Sequence, residues 1–128
     1  MNLVGIGIDV VETQRIRASL DRFGDAFLEK IFTETERAYC LKQKQPAIHL
    51  AARFAAKEAI SKAFGTGIGK DLSWLDLEIT RRDSGEPAVN LSKVAQTFAD
   101  DRKVGQIMIS LTHTEHYAAA NAVILGTT

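Results

Sequence analysis

Only one cysteine, two prolines and one tryptophan occur in 128 residues, and neither sign of charge is in excess: sixteen Lys and Arg balance sixteen Asp and Glu. The lone cysteine, Cys40, excludes an internal disulfide, and a reducing, cytoplasmic setting is the simplest expectation for such a chain. Charge balance excludes a whole-molecule field that would draw the chain to nucleic acid or an anionic membrane. Neither is expected as a partner, and any steering has to come from local clusters. No apolar run approaches the roughly 20 residues of a membrane span, and the opening Met1-Asn2-Leu3-Val4-Gly5 lacks the basic flank and apolar stretch of a signal peptide. Internal repeats, low-complexity tracts and long linkers are missing too, which predicts one domain over residues 1–128.

What is present is ordinary for a folded domain, with 45% hydrophobic and 25% charged residues. Val4, Ile6, Ile8 and Val10 alternate with Gly5, Gly7 and Asp9, a period of two that predicts a strand with Asp9 on the glycine face. Small residues beside a carboxylate suit close approach of a ligand or of another backbone, and a packing kink is the plainer alternative. Thr13 is positioned as an N-cap, and Ile16, Leu20 and Phe23 then follow at helical spacing over about residues 13 to 23. Thr33 and Glu36 fit a capping box, so a short helix is expected to about Lys42. Pro46 suits a first helical turn, and Ala47 to Phe64 has neither glycine nor proline, which predicts the longest helix; Gly65, Gly67 and Gly69 end it. Leu75, Leu77 and Ile79 form half of a hairpin closed by Asp83-Ser84-Gly85 and completed by Pro87 to Leu91. A short helix capped by Ser92 and two strands, Gln106 to Thr112 and Tyr117 to Leu125, finish the chain. The expected class is α+β, with a mainly antiparallel sheet packed against one long helix and several shorter ones.

Chemistry concentrates in Arg53 to Ala63. Helical spacing there pairs Glu58 with Lys62 and Arg53 with Lys57, either as solvated surface charge or as part of a site. Six alanines (51, 52, 55, 56, 59 and 63) leave few large side chains for a conventional core face, so something must pack closely. Magnesium commonly takes one or two protein carboxylates and completes its shell with water and substrate phosphate. Asp9 and Glu58 are the candidates, with Glu12 and Asp76 as competitors and helix-dipole contact as the alternative role for Asp9. Gly65-Thr66-Gly67-Ile68-Gly69 follows a helix instead of opening one, so a helix stop fits it better than a dinucleotide loop. His113 ends a strand, where it would either donate to a phosphate or bond nearby backbone. Cys40 has no partner motif, and His49 and His116 carry no signal.

Five blocks in order give the chain a resemblance. They are Gly5-Ile6-Gly7-Ile8-Asp9-Val10-Val11-Glu12 with Arg15-Ile16; Phe32-Thr33-x-x-Glu36; Arg53-Phe54-Ala55-Ala56-Lys57-Glu58-Ala59 with Lys62-Ala63; Gly85-x-Pro87; and Ser110-x-Thr112-His113-Thr114. Over nearly its whole length the sequence resembles the holo-acyl-carrier-protein synthases of the phosphopantetheinyl transferase superfamily. The resemblance implies that Asp9 and Glu58 hold magnesium against the pyrophosphate of coenzyme A while Lys62 meets the phosphate where charge develops. It further implies donor contacts at Arg53, Lys57, Ser61, Gly65, Ile68, Gly85, Pro87 and His113. A homotrimer with an active site at each subunit interface is implied as well, as is a place in fatty acid biosynthesis.

In these terms a carrier-protein serine attacks the phosphorus bearing the pantetheine arm, and its proton passes to Glu58 or to water. Acyl carrier proteins are acidic, so Arg15 and Arg22, on roughly one side of the first helix, are expected to face that partner. A non-catalytic nucleotide-binding trimer and a metal-dependent phosphohydrolase are the rival readings. Neither accounts for the basic first helix together with the later blocks.

Overall fold

The computed structural model describes residues 2–127. Its elements run β1 (Leu3–Glu12), α1 (Thr13–Phe23), α2 (Asp25–Ile31), α3 (Glu34–Leu41), α4 (Pro46–Ala63), a 3-10 turn (Trp74–Asp76), β2 (Leu77–Arg81), β3 (Pro87–Leu91), α5 (Lys93–Asp101), β4 (Val104–His113) and β5 (Tyr117–Gly126). The α+β class and the antiparallel pairing follow the sequence patterns, but the strands form two sheets where one was expected. One has the order β1-β5-β4 and the other is the β2-β3 hairpin. A cleft lies between β3 and β4, with Val89 and Leu91 on one side and Gly105 and Ile107 on the other.

Helix α4 lies against β1 and β5, and small residues on both sides set the spacing. Ala51, Ala55, Ala56 and Ala59 are fully buried on the helix, as is Ala122 on β5. A Cβ built on Gly5 would overlap the Ala63 carbonyl, and one on Gly7 the Ala59 carbonyl. The glycines beside Asp9 therefore admit a backbone, and that backbone is the helix carrying Glu58 and Lys62. The alanine-rich sequence of α4, poor in bulky core residues, is explained by the same contact.

Thr13 is the first residue of α1 and not its cap; Glu12 precedes the helix in extended conformation with no capping side chain. The Thr13 amide donates to the His116 carbonyl at 2.8 Å, which ties the start of α1 to the β4–β5 turn. Sequence reading missed α2. Gly24, at a φ of 55°, ends α1 and begins α2, a backbone conformation that costs glycine little. The Thr33/Glu36 capping box is present, and Ser92 caps α5 through the Ala95 amide.

Candidate active site

Alternation along β1 turns Asp9 toward α4, where Glu58 and Lys62 stand one turn apart. The Lys62 ammonium donates to Asp9 Oδ1 at 3.0 Å and to the Ile8 carbonyl at 3.2 Å. Burial first, and then the nearby Asp9 charge, raise the Glu58 carboxyl above its ordinary range, while Lys62 works against both. Two carboxylates and one ammonium thus share a half-open corner of the β1–α4 seam.

The competing carboxylates lie elsewhere. Glu12 falls on the opposite, exposed side of β1. Asp76 accepts from the Ser73 amide and hydroxyl and from the Ser92 hydroxyl, closing the 3-10 turn onto the start of α5. Burial pushes the Asp76 carboxyl up, but these bonds outweigh it and leave the group below the usual carboxylate range. Among the described residues no three His, Cys, Asp or Glu side chains gather as metal ligands, so an ion at Asp9 and Glu58 would need further oxygens from outside the chain.

A second concavity of about 340 Å³ opens on another face of α4, lined by His49, Arg53, Arg81, Gly85, Pro87 and His113 among others. Gly85, at a φ of 95°, shapes its rim, and its carbonyl accepts from Arg81 at 3.0 Å. Arg53 is 5% exposed, with its guanidinium over the Tyr39 ring at 4.4 Å and its Nε lacking a hydrogen-bond partner. The structure therefore brings Arg53, Gly85, Pro87 and His113 together, apart from Asp9, Glu58 and Lys62. His49 and Arg81 were missed in the sequence. The i, i+4 spacing of His49 and Arg53 was the available signal.

Two expected donor contacts are corrected. Lys57 is fully buried, and its ammonium donates to Glu36 at 2.7 Å and to the carbonyls of Ile31 and Trp74 at 2.7 and 2.9 Å. With all three protons committed inside the fold it has none for a ligand. Ser61 is buried as well; its hydroxyl donates to the Glu58 carbonyl, and its own carbonyl receives the Thr66 and Gly67 amides that turn the chain out of α4. Helical spacing pairs Lys57 with Arg53 without showing that it faces inward, and Ser61 is named only by the resemblance. Gly65 and Ile68 follow directly on that helix end, close in sequence to Lys62. Arg15 and Arg22 both stand exposed on α1.

The sequence model of the 4'-phosphopantetheinyl transferase superfamily matches residues 5–122. The chain belongs to that superfamily. Within it the chain is an enzyme of the holo-acyl-carrier-protein synthase group. It is 47% identical over 121 residues to the synthase of Protochlamydia amoebophila, a match covering 94% of this chain and 96% of the relative. The crystal structure of the Neisseria meningitidis synthase superposes with a TM-score of 0.91 at 31% identity, covering 96% and 98% of the two chains. A Bacillus anthracis synthase described in complex with CoA (3',5'-ADP) gives a TM-score of 0.83 at 38% identity, covering 99% and 100%. The superfamily match spans both Asp9 and His113, so it takes in both concavities. Among the described residues no helix is long and apolar enough to cross a membrane.

Proposed function

We propose that the enzyme moves the 4'-phosphopantetheine arm of coenzyme A to a serine of apo-acyl carrier protein, with magnesium, releasing adenosine 3',5'-bisphosphate. The observation that carries this reading is the meeting of Asp9, Glu58 and Lys62 where β1 crosses α4. The donor seen with the Bacillus anthracis relative belongs to the same chemistry.

The residues fit a magnesium ion. Asp9 and Glu58 offer hard oxygen donors, and a cation between them would offset the burial and the Asp9 charge that raise the Glu58 carboxyl. When bound, such an ion neutralises pyrophosphate oxygens as a Lewis acid. The chain's own groups do the rest by positioning and charge. Lys62, half-exposed and tethered to the rigid β1–α4 seam, meets the nucleotide phosphate as it departs. The serine oxygen forms its bond to the arm's phosphorus while the bond from that phosphorus to the nucleotide phosphate breaks. The serine proton passes to Glu58 or to water.

The assembly proposed is a homotrimer. Ile6, Ile8 and Val10 of β1 are 67%, 67% and 59% exposed, and Met108 of β4 extends this apolar face. A further copy covering the face would bring the His113 cleft of one subunit toward the Asp9 corner of the next, uniting two half-sites that a single chain holds apart. The setting that goes with this activity is cytoplasmic fatty acid biosynthesis.

Intact-mass analysis of apo-carrier protein after incubation with the enzyme, coenzyme A and magnesium tests the reading. The carrier should gain the mass of the arm, and no free phosphopantetheine should form when the carrier is omitted. Release of free arm without acceptor would indicate a hydrolase instead, and binding without any product a passive nucleotide module.

A further inference from the structure

Helical spacing offers Lys62 a partner on its own helix in Glu58, four residues earlier. The ammonium forgoes it. Lys62 reaches across the seam to β1 instead, donating to Asp9 Oδ1 at 3.0 Å and to the Ile8 carbonyl at 3.2 Å, and its ion pair is with Asp9. The crossing is possible because Gly7 brings the strand against the Ala59 carbonyl, one turn before Lys62. Both acceptors are oxygens, the ligand type that magnesium takes, so the ammonium already stands where a cation beside Asp9 belongs. The Asp9 side chain is 16% exposed and that of Lys62 49%, which sets the acid in the wall of the seam and the base in the open. Lys62 borders an open space with Ile6, Gly7, Ile8 and Asn121, so it can leave Asp9 without unpacking the core. Ion pairs this exposed are weak enough to exchange.

Resting on the reading of Asp9 and Glu58 as the metal pair, we infer that Lys62 competes with the divalent cation for Asp9 and thereby makes metal and donor bind cooperatively. With Lys62 on Asp9, the carboxylate charge is already offset, and the chain alone holds a divalent ion weakly. The donor's phosphates offer the ammonium a more highly charged partner. Once Lys62 moves to them, Asp9 regains its full charge for the metal. Reciprocity then requires that an ion on Asp9, by freeing Lys62 for phosphate, tighten the donor by the same factor. Two sources of cooperativity are separable here. Phosphate oxygens that complete the metal's shell act whatever residue stands at position 62, whereas the exchange disappears with the ammonium. Lys62 is thus a guard against metal binding without a donor, in addition to its part in transfer.

Manganese, followed by electron paramagnetic resonance of the free ion, is the probe on chelator-treated enzyme, with carrier protein left out so that coenzyme A is not consumed. Removing the competing charge in Lys62→Met should tighten donor-free manganese binding roughly tenfold, where a merely structural lysine would loosen it. Coenzyme A should tighten manganese about tenfold more in the natural enzyme than in Lys62→Met. Lys70→Met removes an exposed lysine beyond the end of α4, controls for net charge, and should change manganese affinity by less than about twofold. Unchanged or weaker manganese binding by Lys62→Met, in a protein whose binding Asp9→Asn abolishes, overturns the inference and leaves the metal pair standing. A gain matched by Lys70→Met overturns it as well. Asp9→Asn that binds manganese as tightly as the natural enzyme instead removes the reading on which the inference rests. Circular dichroism checks each fold, and Lys62→Gln, which removes the same charge, decides if Lys62→Met does not fold.

Discussion

Glu36 accepts from the Thr33 amide, the Lys57 ammonium and the Ile79 amide, three donors on three separate parts of the chain. The side chain that completes a capping box is therefore also the counter-ion of the buried lysine and an anchor for β2. Burial pulls the Lys57 ammonium below its ordinary range, and Glu36 opposes this with charge and a hydrogen bond. Removing one partner strands the other in a dry interior. Lys57→Ala should cost about 3–5 kcal/mol of unfolding free energy by denaturant titration, with the remaining folded fraction still able to bind coenzyme A. A loss of donor affinity without loss of stability would return Lys57 to the donor site from which its burial removes it. Cys40 is inert for a related reason: burial, the leading cause, pushes its thiol up to about 11, far from a nucleophile's working range.

At the scale of elements, the β1–α4 seam sets Asp9 beside Glu58 and Lys62. Gly7→Ala would drive a methyl group into the Ala59 carbonyl, so strand and helix must separate. The expected cost is about 1–3 kcal/mol of stability, with a larger fall in kcat than in donor affinity because Asp9 moves relative to Glu58 and Lys62. Melting and steady-state kinetics on the same preparation check both parts. Much of this was legible beforehand. Period-two alternation located β1, alanine and a proline start located α4, and the glycines announced a close approach. Helix α2 was not legible, because seven residues give too little periodicity and Gly24 reads as a terminator before it reads as a hinge. The split into two sheets was hidden as well, since alternation marks strands and leaves their neighbours unspecified. In the site, spacing alone grouped Glu58 with Lys62, whereas the approach of Asp9 across 49 positions of sequence rested on the resemblance. Lys57 shows the opposite failure: its spacing from Arg53 was legible, whereas the inward direction comes only from packing.

For the whole molecule, charge balance conceals a division of surfaces. An exposed basic side on α1 is available to an acidic carrier protein, and the apolar face of β1 and β4 is suited to a second copy of the chain. Arg15→Glu should raise the KM for carrier protein several-fold or more and leave that for coenzyme A nearly unchanged, with the effect shrinking as salt rises. An equal loss for both substrates would take α1 out of the docking surface. The cleft around His49 completes this layout if neighbouring copies supply it to each other's Asp9 corner.

The central claim is that Asp9 and Glu58 act together on the donor's pyrophosphate, and single-turnover transfer measured against magnesium concentration tests it most directly. For Asp9→Asn and Glu58→Gln, each folded like the natural enzyme, the account predicts a loss of about 10²-fold or more and a shift of the magnesium requirement to higher concentration. Transfer at the natural rate and magnesium dependence in either variant would contradict it.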